Sequence, residues 1–317
     1  MFRVFVVVVI ISLLSPTRSH ENIDALEAEW QNWVSNSSYK ARNAKYQGYC
    51  ENILRTGSGS SSQFGQDVLV FFNTFKYWPM LGRTGFYVDS GANDAVTISN
   101  TYFFDVCLGW EGVCVEPLPQ YHAGIMAKRS CKLSTKCISD VDKKVFMNFG
   151  KSSGANVESS NNAVANVDCS PLHTIIGEHF PKKNKVVAID LWSLDVEGYE
   201  MTILQPIDFN MLKVKTLLIE DMWLNGRKLD YLLLNAGFVK MHQFAIDSFY
   251  VSRAFLFSQS YQTTTKMPYL TARHYAGWAE NLQIRSMPHK LLQVCDDIDM
   301  GLYNCSLKHC GSFFHWD

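Results

Sequence analysis

The chain has 317 residues, and its 29 basic and 30 acidic side chains leave a formal net charge of −1, which argues against nucleic acid or anionic lipid as a partner. Apolar residues make up 47% and charged residues 19%, a globular composition that excludes collagen, coiled coil and extended disorder. The nine cysteines are too few for a disulfide scaffold, yet more than a cytosolic enzyme usually carries.

The first residues have the layout of a secretory signal peptide. Arg3 precedes an apolar run from Phe5 to Leu14, and small residues lead to a cleavage position after Ser19. This run is much shorter than the roughly 20 residues that span a bilayer, so cleavage is favoured over a signal anchor. We therefore expect a secreted chain, or one in the lumen of the ER or Golgi, with no stable membrane span after cleavage.

In an oxidising lumen, nine cysteines form at most four bridges and leave one over. Cys107 and Cys114 lie in strongly apolar segments, which favours small buried hydrophobic residues over bridged ones. Zinc is disfavoured because the chain has no C-x-x-C pair. Asn36 and Asn304 begin N-x-S/T triplets, which fit a glycoprotein.

Two helical patterns flank a linker before the main domain. Apolar residues between Glu21 and Val34 recur at helical spacing, and apolar residues from Gln63 to Phe75 also share one helical face. Thr56 to Ser62 reads T-G-S-G-S-S-S and is typical of a flexible linker. We divide the chain into a signal peptide (1–19), an N-terminal helix and linker (20–61), a main domain (62–258) and a cysteine-containing extension (259–317).

After the linker, short apolar runs alternate with helical patterns. Strands that end in an acid are predicted at Gly85 to Asp89, Gly112 to Glu116, Lys185 to Asp195 and Lys215 to Glu220. A further short strand is predicted at 135–139, with helices at about 95–108, 117–128 and 229–235. The alternation indicates an α/β fold with a mostly parallel, doubly wound sheet and helices on both faces. The stretch 237–257 predicts a final antiparallel strand pair.

In such a sheet, ligands bind beyond the carboxyl ends of the strands. Asp89 ends the first of these strands, and Gly91 in the following turn lets the backbone pass close to a ligand. Glu116 ends the next strand, where an acid about 20 residues after the turn is placed to bind both hydroxyls of a ribose. The pattern predicts a nucleoside-containing cofactor, against the alternative of a plain structural turn and a surface acid.

The class of nucleoside cofactor can be narrowed, because cofactors with several phosphates need phosphate-binding motifs in the sequence. The chain lacks both G-x-G-x-x-G and a P-loop lysine, which disfavours a dinucleotide or triphosphate and with them an NAD-linked oxidoreductase. S-adenosylmethionine has no phosphate. It needs a tight turn for its methionine end and a carboxylate for its ribose, and the chain offers both.

Five sequence blocks, taken in order, resemble the FkbM family of S-adenosylmethionine-dependent methyltransferases. They are S-Q-F-G-Q-D from Ser62, G-F-Y-V-D-S-G-A-N-D from Gly85, S-N-T from Ser99, L-G-W-E-G-V-C-V-E-P from Leu108 and S-L-D-V-E-G-Y-E from Ser193. The resemblance implies a Rossmann-like class I methyltransferase fold, S-adenosylmethionine as cofactor and, in most cases, methylation of a hydroxyl oxygen. It further implies that Asp89, Gly91 and Asn93 hold the methionine end, that Glu116 binds the ribose, and that Ser139 and Asp140 border the adenine.

One position departs from the family, which has glycine after G-A-N-D where this chain has Ala95. If this residue needs a positive φ, or lies under the cofactor, the methyl group has a cost. If it is the first residue of a helix, alanine is favoured, and we prefer this interpretation.

Asp195 and Glu197, on a turn closed by Gly198, are the best-placed carboxylates to take up the proton of a hydroxyl acceptor. The alternative is that they cap a helix from about Glu200. His242 is a third candidate base, although a lone histidine is more often structural.

Glu220 ends the next strand and is expected to bind substrate hydroxyls. It could also form an oxygen-only magnesium site with Asp195 and Glu197, but acids so distant in sequence are weak evidence, and we expect no metal. Trp223 is a candidate to stack on a sugar, against the alternative of core packing.

Together these features predict a methyltransferase of the secretory pathway that acts on a hydroxyl of a glycan, a lipid or a small molecule. The alternative is a non-catalytic binding or trafficking protein. Ala95 motivates that alternative, as does the need to import the cofactor into a lumen.

Overall fold

The computed structural model describes residues 25, 28–36, 39–148, 156–157, 165–181, 187–222, 224, 226–243, 246–256 and 258. The predicted signal peptide, Trp223, Asn304 and the extension from 259 onward lie outside these residues. Within them, no helix combines the length and apolar character needed to cross a membrane.

The described helices and strands alternate along much of the chain. The helices are α1 (Gln47–Thr56), α2 (Gln66–Val70, continued by a π-helical turn at Phe71–Phe75), α3 (Tyr102–Val106), α4 (Pro119–Lys128), α5 (Leu172–His179), α6 (Glu200–Leu204), α7 (Gly226–Asn235) and α8 (Arg253–Leu256). The strands are β1 (Phe86–Ser90), β2 (Glu111–Val115), β3 (Lys132–Ser134), β4 (Cys137–Ile138), β5 (Lys143–Asn148), β6 (Asn156–Val157), β7 (Ala165–Ser170), β8 (Val187–Leu194), β9 (Leu212–Glu220), β10 (Phe238–Gln243) and β11 (Asp247–Ser252). Residues 28–35 are helical as well.

Seven strands form the main sheet in the order β10-β11-β9-β8-β1-β2-β3. The five strands from β9 to β3 run parallel, whereas β11 is antiparallel to both β9 and β10. The expectation of a mostly parallel α/β sheet with an antiparallel C-terminal pair is thus confirmed.

Apolar layers cover both faces of this sheet. Alternate residues of β1 and β8 enter opposite clusters, with Tyr87 and Leu191 on one face and Val88 and Trp192 on the other. Parallel strands need such cover on both sides, which is why they read as continuous apolar runs in the sequence.

The segment that precedes the glycine and serine linker shares its core with the main sheet. Trp30 from the helical stretch 28–35 and Ile53 from α1 belong to the same buried cluster as Phe71 and Phe103. Trp30 is 1% exposed and Ile53 is fully buried. The N-terminal segment therefore packs on one face of the sheet.

Disulfides correct the expectation for two cysteines. Cys107 is bonded to Cys50 and Cys114 to Cys131, so the interpretation of Cys107 and Cys114 as unbridged hydrophobic residues is wrong. An apolar neighbourhood in sequence predicts burial, but it carries no information on whether a second cysteine reaches the same place. A third bridge joins Cys137 on β4 to Cys169 on β7.

The helix predicted at 95–108 is also corrected, because only Tyr102–Val106 is helical. The Asp94 carboxylate accepts hydrogen bonds from the amides of Val96 (2.9 Å) and Thr97 (2.7 Å), which closes a tight turn. Ile98 follows with a φ of 59°. A β-branched residue in the left-handed region cannot continue an α-helix.

A second sheet of four strands, in the order β4-β7-β5-β6, was not predicted. The short strand predicted at 135–139 is present as β4, but it does not belong to the main sheet. The place next to β2 in the main sheet belongs to β3, whereas β4 pairs with β7 in the second sheet. Strands of two or three residues have too few side chains for an alternation of apolar and polar residues to be recognised in the sequence.

A buried ion cluster lies under the carboxyl end of β1. Arg129 follows α4, and its fully buried guanidinium donates to Asp105 (3.0 Å), Asp89 (3.4 Å) and the Tyr87 hydroxyl (3.1 Å). It also donates to the Thr101 hydroxyl at 2.5 Å. Arg129 thus compensates Asp89, shares Asp105 with Arg42, and joins β1 to α3 and α4.

We expect Arg129→Met to lower the free energy of unfolding by about 3–5 kcal/mol, because the substitution leaves buried Asp89 without its cation and Asp105 with only the half-exposed Arg42. Urea denaturation with the disulfides intact measures the loss. Lys128→Met, at the exposed neighbouring position, is the matched control and should change stability by no more than about 0.5 kcal/mol. Equal effects of the two substitutions would contradict this role of Arg129.

Candidate functional site

A cavity of about 780 Å³ lies at the carboxyl ends of β1, β2, β8 and β9. The turns after these four strands line one side of it, and β4, β5 and β7 of the second sheet line another. The volume is in the range of pockets that hold a cofactor or a drug-sized ligand. The position agrees with the general rule for parallel α/β sheets.

The turn after β1 requires glycine at one position. Gly91 has a φ of 78°, and a Cβ there would lie 1.8 Å from the main-chain oxygen of Asp195. Its amide donates to the Val115 carbonyl at 2.9 Å, and the Asp195 amide donates to the Ser90 carbonyl at 3.0 Å. The turns after β1, β2 and β8 are therefore packed backbone against backbone, and no side chain fits between them.

Glu116 lies against this turn and lines the cavity. Its carboxylate accepts hydrogen bonds from the amides of Asn93 and Leu118, both at 2.7 Å. Burial raises the pKa of Glu116 to about 7. Each carboxylate oxygen can accept more than one hydrogen bond, so the group can still bind a pair of ligand hydroxyls.

Polar groups of the 99–101 segment supply another part of the wall. Asn100 donates to the Ser193 hydroxyl at 3.3 Å, while its buried side-chain oxygen has no hydrogen-bond partner. Thr101 donates to the Asp89 carboxylate, which Arg129 also contacts. Asp89 is thus fixed in orientation, and Asn100 offers a buried acceptor at the cavity wall.

Backbone strain concentrates at the cavity. Among the described residues, the non-glycine residues with positive φ are Asn93, Ile98 and Glu197, and all three line it. Conformations of this kind cost of order 1–3 kcal/mol each and persist where the surrounding structure enforces them. They cluster at functional sites more often than elsewhere.

Carboxylates gather at the ends of β8 and β9. One oxygen each from Asp195, Glu200 and Glu220 lies within 4.8 Å of the other two. Burial raises the pKa of Asp195, and the negative charge of Glu220 raises it further. Burial also raises the pKa of Glu220, and it raises the pKa of the nearby Asp247 to about 6.

The structure brings most of the predicted site residues to one cavity. Those that line it are Asp89, Gly91, Asn93, Glu116, Ser139, Asp195, Glu197 and Glu220. Asp140 and His242 are not among the lining residues. Asp140 is exposed and pairs with Lys143 at 2.6 Å. His242 lies on β10, where burial lowers its pKa to about 4.

Ala95 does not border the cavity and its φ is not positive. It is 1% exposed and packs near Gly124 of α4. It also does not begin a helix, so the preferred interpretation of this position is wrong. A methyl group here fills core space and has no contact with the cavity.

Sequence reasoning assigned no binding role to Glu200 or Asn100. Glu200 was interpreted as the start of a helix, and its Oε1 does accept hydrogen bonds from the amides of Val196 (2.9 Å) and Gly198 (3.2 Å). The sequence signal that could have indicated a binding role is the presence of three acids within the six residues D-V-E-G-Y-E. Only the fold shows that Glu200 turns back toward Glu220, because these residues lie on different elements.

Comparison with known families gives one match. Residues 89–244, just under half of the chain, match the model of the Methyltransferase FkbM domain. The match spans β1 to β10 and every turn that forms the cavity edge of the main sheet. It confirms the resemblance found in the sequence. No curated protein and no solved structure matches the chain.

The buried acids predict a pH dependence of stability. Since the pKa of Glu116 is about 7 and those of Asp67 and Asp247 about 6 in the folded chain, the native state binds protons that the unfolded state has already lost. Stability should therefore fall as the pH rises from about 4 through about 7, and further toward about 9, where the pKa of Asp195 lies. His242, with its pKa lowered to about 4, opposes this fall below about pH 6.5. Thermal unfolding in EDTA should give a higher midpoint at pH 5.5 than at pH 8.

Glu220→Gln should reduce this difference in midpoint, because it removes one of the groups with a raised pKa. The exposed Glu111→Gln, at the opposite end of the strands, should leave the difference unchanged. A midpoint at pH 8 that equals or exceeds that at pH 5.5 would contradict the assignment of raised pKa values.

Proposed function

Because residues 89–244 form a Methyltransferase FkbM domain, we propose that this protein is an S-adenosylmethionine-dependent methyltransferase with a Rossmann-like fold. It methylates a hydroxyl oxygen of a glycan, a lipid or a small molecule. The observation that carries the proposal is the juxtaposition of the Gly91 turn, the Asp195 main chain and the Glu116 carboxylate at one cavity.

The residues present fit the cofactor at both ends. Asp89, Gly91 and Asn93 line the cavity at the turn after β1, so the amino-acid end of the cofactor can lie on this turn. Glu116 faces the cavity with lone pairs for the two ribose hydroxyls. Ser139 lines the wall where the adenine would lie. The cofactor, when bound, supplies an activated methyl group.

The acceptor half of the site is built from the turns after β8 and β9. Methyl transfer is an in-line displacement, and fixing the acceptor oxygen in line can contribute about 7–11 kcal/mol. Asp195 and Glu220 lie at this end of the cavity and hold acceptor hydroxyls. The chain's task is thus mainly to position two ligands against each other.

Glu197 takes up the acceptor proton in this proposal. Of the three groups considered as the base, His242 does not line the cavity. Burial together with the negative charge of Glu220 raises the pKa of Asp195 to about 9, so that Asp195 holds its proton near pH 7. Glu197 lines the cavity from a turn held at a φ of 56°. A base at this position adds about 10²–10⁴-fold to the rate.

The disulfides support a secretory location. Three bridges join described cysteines, and such bonds persist in oxidising compartments. Asn36 is exposed, as glycosylation of its triplet requires. Ala95, one of the two features that motivated the non-catalytic alternative, lies away from the cavity and no longer supports that alternative.

The first test is cofactor binding. We expect the recombinant full chain to bind S-adenosylmethionine in calorimetry, and Glu116→Gln to weaken binding roughly 10- to 100-fold, because hydrogen bonds to a charged group contribute about 1.5–3 kcal/mol. Asp140→Asn, an exposed acid nearby, is the matched control and should bind normally. No binding by the folded wild-type chain would overturn the proposal.

The second test is turnover. Mass spectrometry with isotope-labelled cofactor and a library of hydroxyl compounds should identify a methylated product. Glu197→Gln should lower its rate of formation about 10²–10⁴-fold without loss of cofactor affinity. An unchanged rate would contradict the assignment of Glu197 as the base.

A further inference from the structure

Three acids at the acceptor end of the cavity lack a compensating positive charge. None of the ion pairs found within the described part of the chain involves Asp195, Glu200 or Glu220. Glu197 lines the same end of the cavity and adds a further negative charge. The local charge is therefore strongly negative.

Several other buried acids of the fold are paired with a cation. Arg129 contacts both Asp89 and Asp105, and Lys215 pairs with Asp190. Buried charges are usually paired or coordinate metal ions.

Asp67, Glu116 and Asp247 are buried without an ion pair as well, but each accepts hydrogen bonds from neighbouring groups. The acids at the ends of β8 and β9 differ in that three carboxylates converge on one place.

Two carboxylate oxygens in this cluster have no hydrogen-bond partner. Glu200 is fully buried and Glu220 is 7% exposed, and Oε2 of each is buried without a partner. The amides of Val196 and Gly198 occupy Oε1 of Glu200, which leaves Oε2 for a ligand. An unpaired buried acceptor carries the full cost of its desolvation, so a ligand at this place would be stabilising.

We propose that Asp195, Glu200 and Glu220 together bind one divalent cation of the hard, oxygen-preferring class, such as calcium, magnesium or manganese. This proposal replaces our expectation from the sequence that no metal is bound. One oxygen from each residue lies within 4.8 Å of the others. Opposite ligands of Ca²⁺ lie about 4.8 Å apart and those of Mg²⁺ about 4.2 Å apart, so the three oxygens are close enough together to share one ion of this class.

A shared proton explains only part of this arrangement. One proton between Asp195 and Glu220 relieves the repulsion of that pair, but it leaves Oε2 of Glu200 without a partner. A cation neutralises all three carboxylates and contacts the unpaired oxygens at the same time. The two alternatives differ in one measurable respect, because only the second depends on a metal ion.

The ion would be reached from the cavity. Asp195 and Glu220 line it, whereas Glu200 holds the ion from behind. If the proposed function is correct, an acceptor oxygen entering the cavity becomes a further ligand. Cation binding itself does not rest on methyl transfer, and it is measurable without cofactor or acceptor.

The test uses the full recombinant chain stripped with EDTA. Calorimetric titrations with CaCl₂ and MgCl₂, and the loss of the free Mn²⁺ EPR signal with MnCl₂, should give one site per chain for at least one ion. The bound ion should also raise the thermal midpoint, since a ligand of the native state stabilises it. Glu200→Gln and Glu220→Gln should each weaken binding at least tenfold, while the amide oxygen at position 200 can still accept from Val196 and Gly198.

Glu197→Gln is the matched control, because it removes the same charge from the same turn without removing a proposed ligand. Its ion affinity should exceed that of either ligand variant. The proposal is overturned if no ion binds the folded chain at millimolar concentration, or if Glu200→Gln binds as tightly as Glu197→Gln. Failure of cofactor binding with intact ion binding would instead reject the proposed function alone.

Discussion

The buried guanidinium of Arg129 is the interaction on which the geometry of the cavity depends. It holds the Asp89 carboxylate at the carboxyl end of β1 and also neutralises Asp105 of α3. Through Thr101 it positions the segment that carries Asn100 to the cavity wall. A cation of this kind has a high cost of desolvation, which only close hydrogen bonds offset. The elements around it are therefore constrained to one arrangement.

Much of the fold could be predicted, because parallel strands that are buried on both faces appear in the sequence as continuous apolar runs. The runs that end at Asp89, Glu116, Asp195 and Glu220 are β1, β2, β8 and β9, and each was placed within a few residues. Their shared edge follows from parallel topology alone. For this reason, eight residues that line the cavity could be predicted from the sequence alone.

The remainder depends on contacts between residues far apart in the chain. β4 and β6 of the second sheet have two residues each, too few for periodicity, and the partners of Cys107 and Cys114 lie on other elements. The sequence predicts that a helix begins at Glu200, and it does. That prediction says nothing about the approach of the Glu200 side chain to Glu220. Local patterns report burial and capping, whereas convergence of like charges appears only in three dimensions.

The packing of the N-terminal segment has a consequence for biosynthesis. The N-terminal part of a chain leaves the ribosome first. Trp30 and Cys50 therefore emerge well before Phe103, which lies in the same core cluster as Trp30, and before Cys107, the disulfide partner of Cys50. No shorter nascent chain can bury these aromatic rings in the native manner. Chaperones that recognise exposed aromatic surface can therefore bind this segment until α3 has left the ribosome.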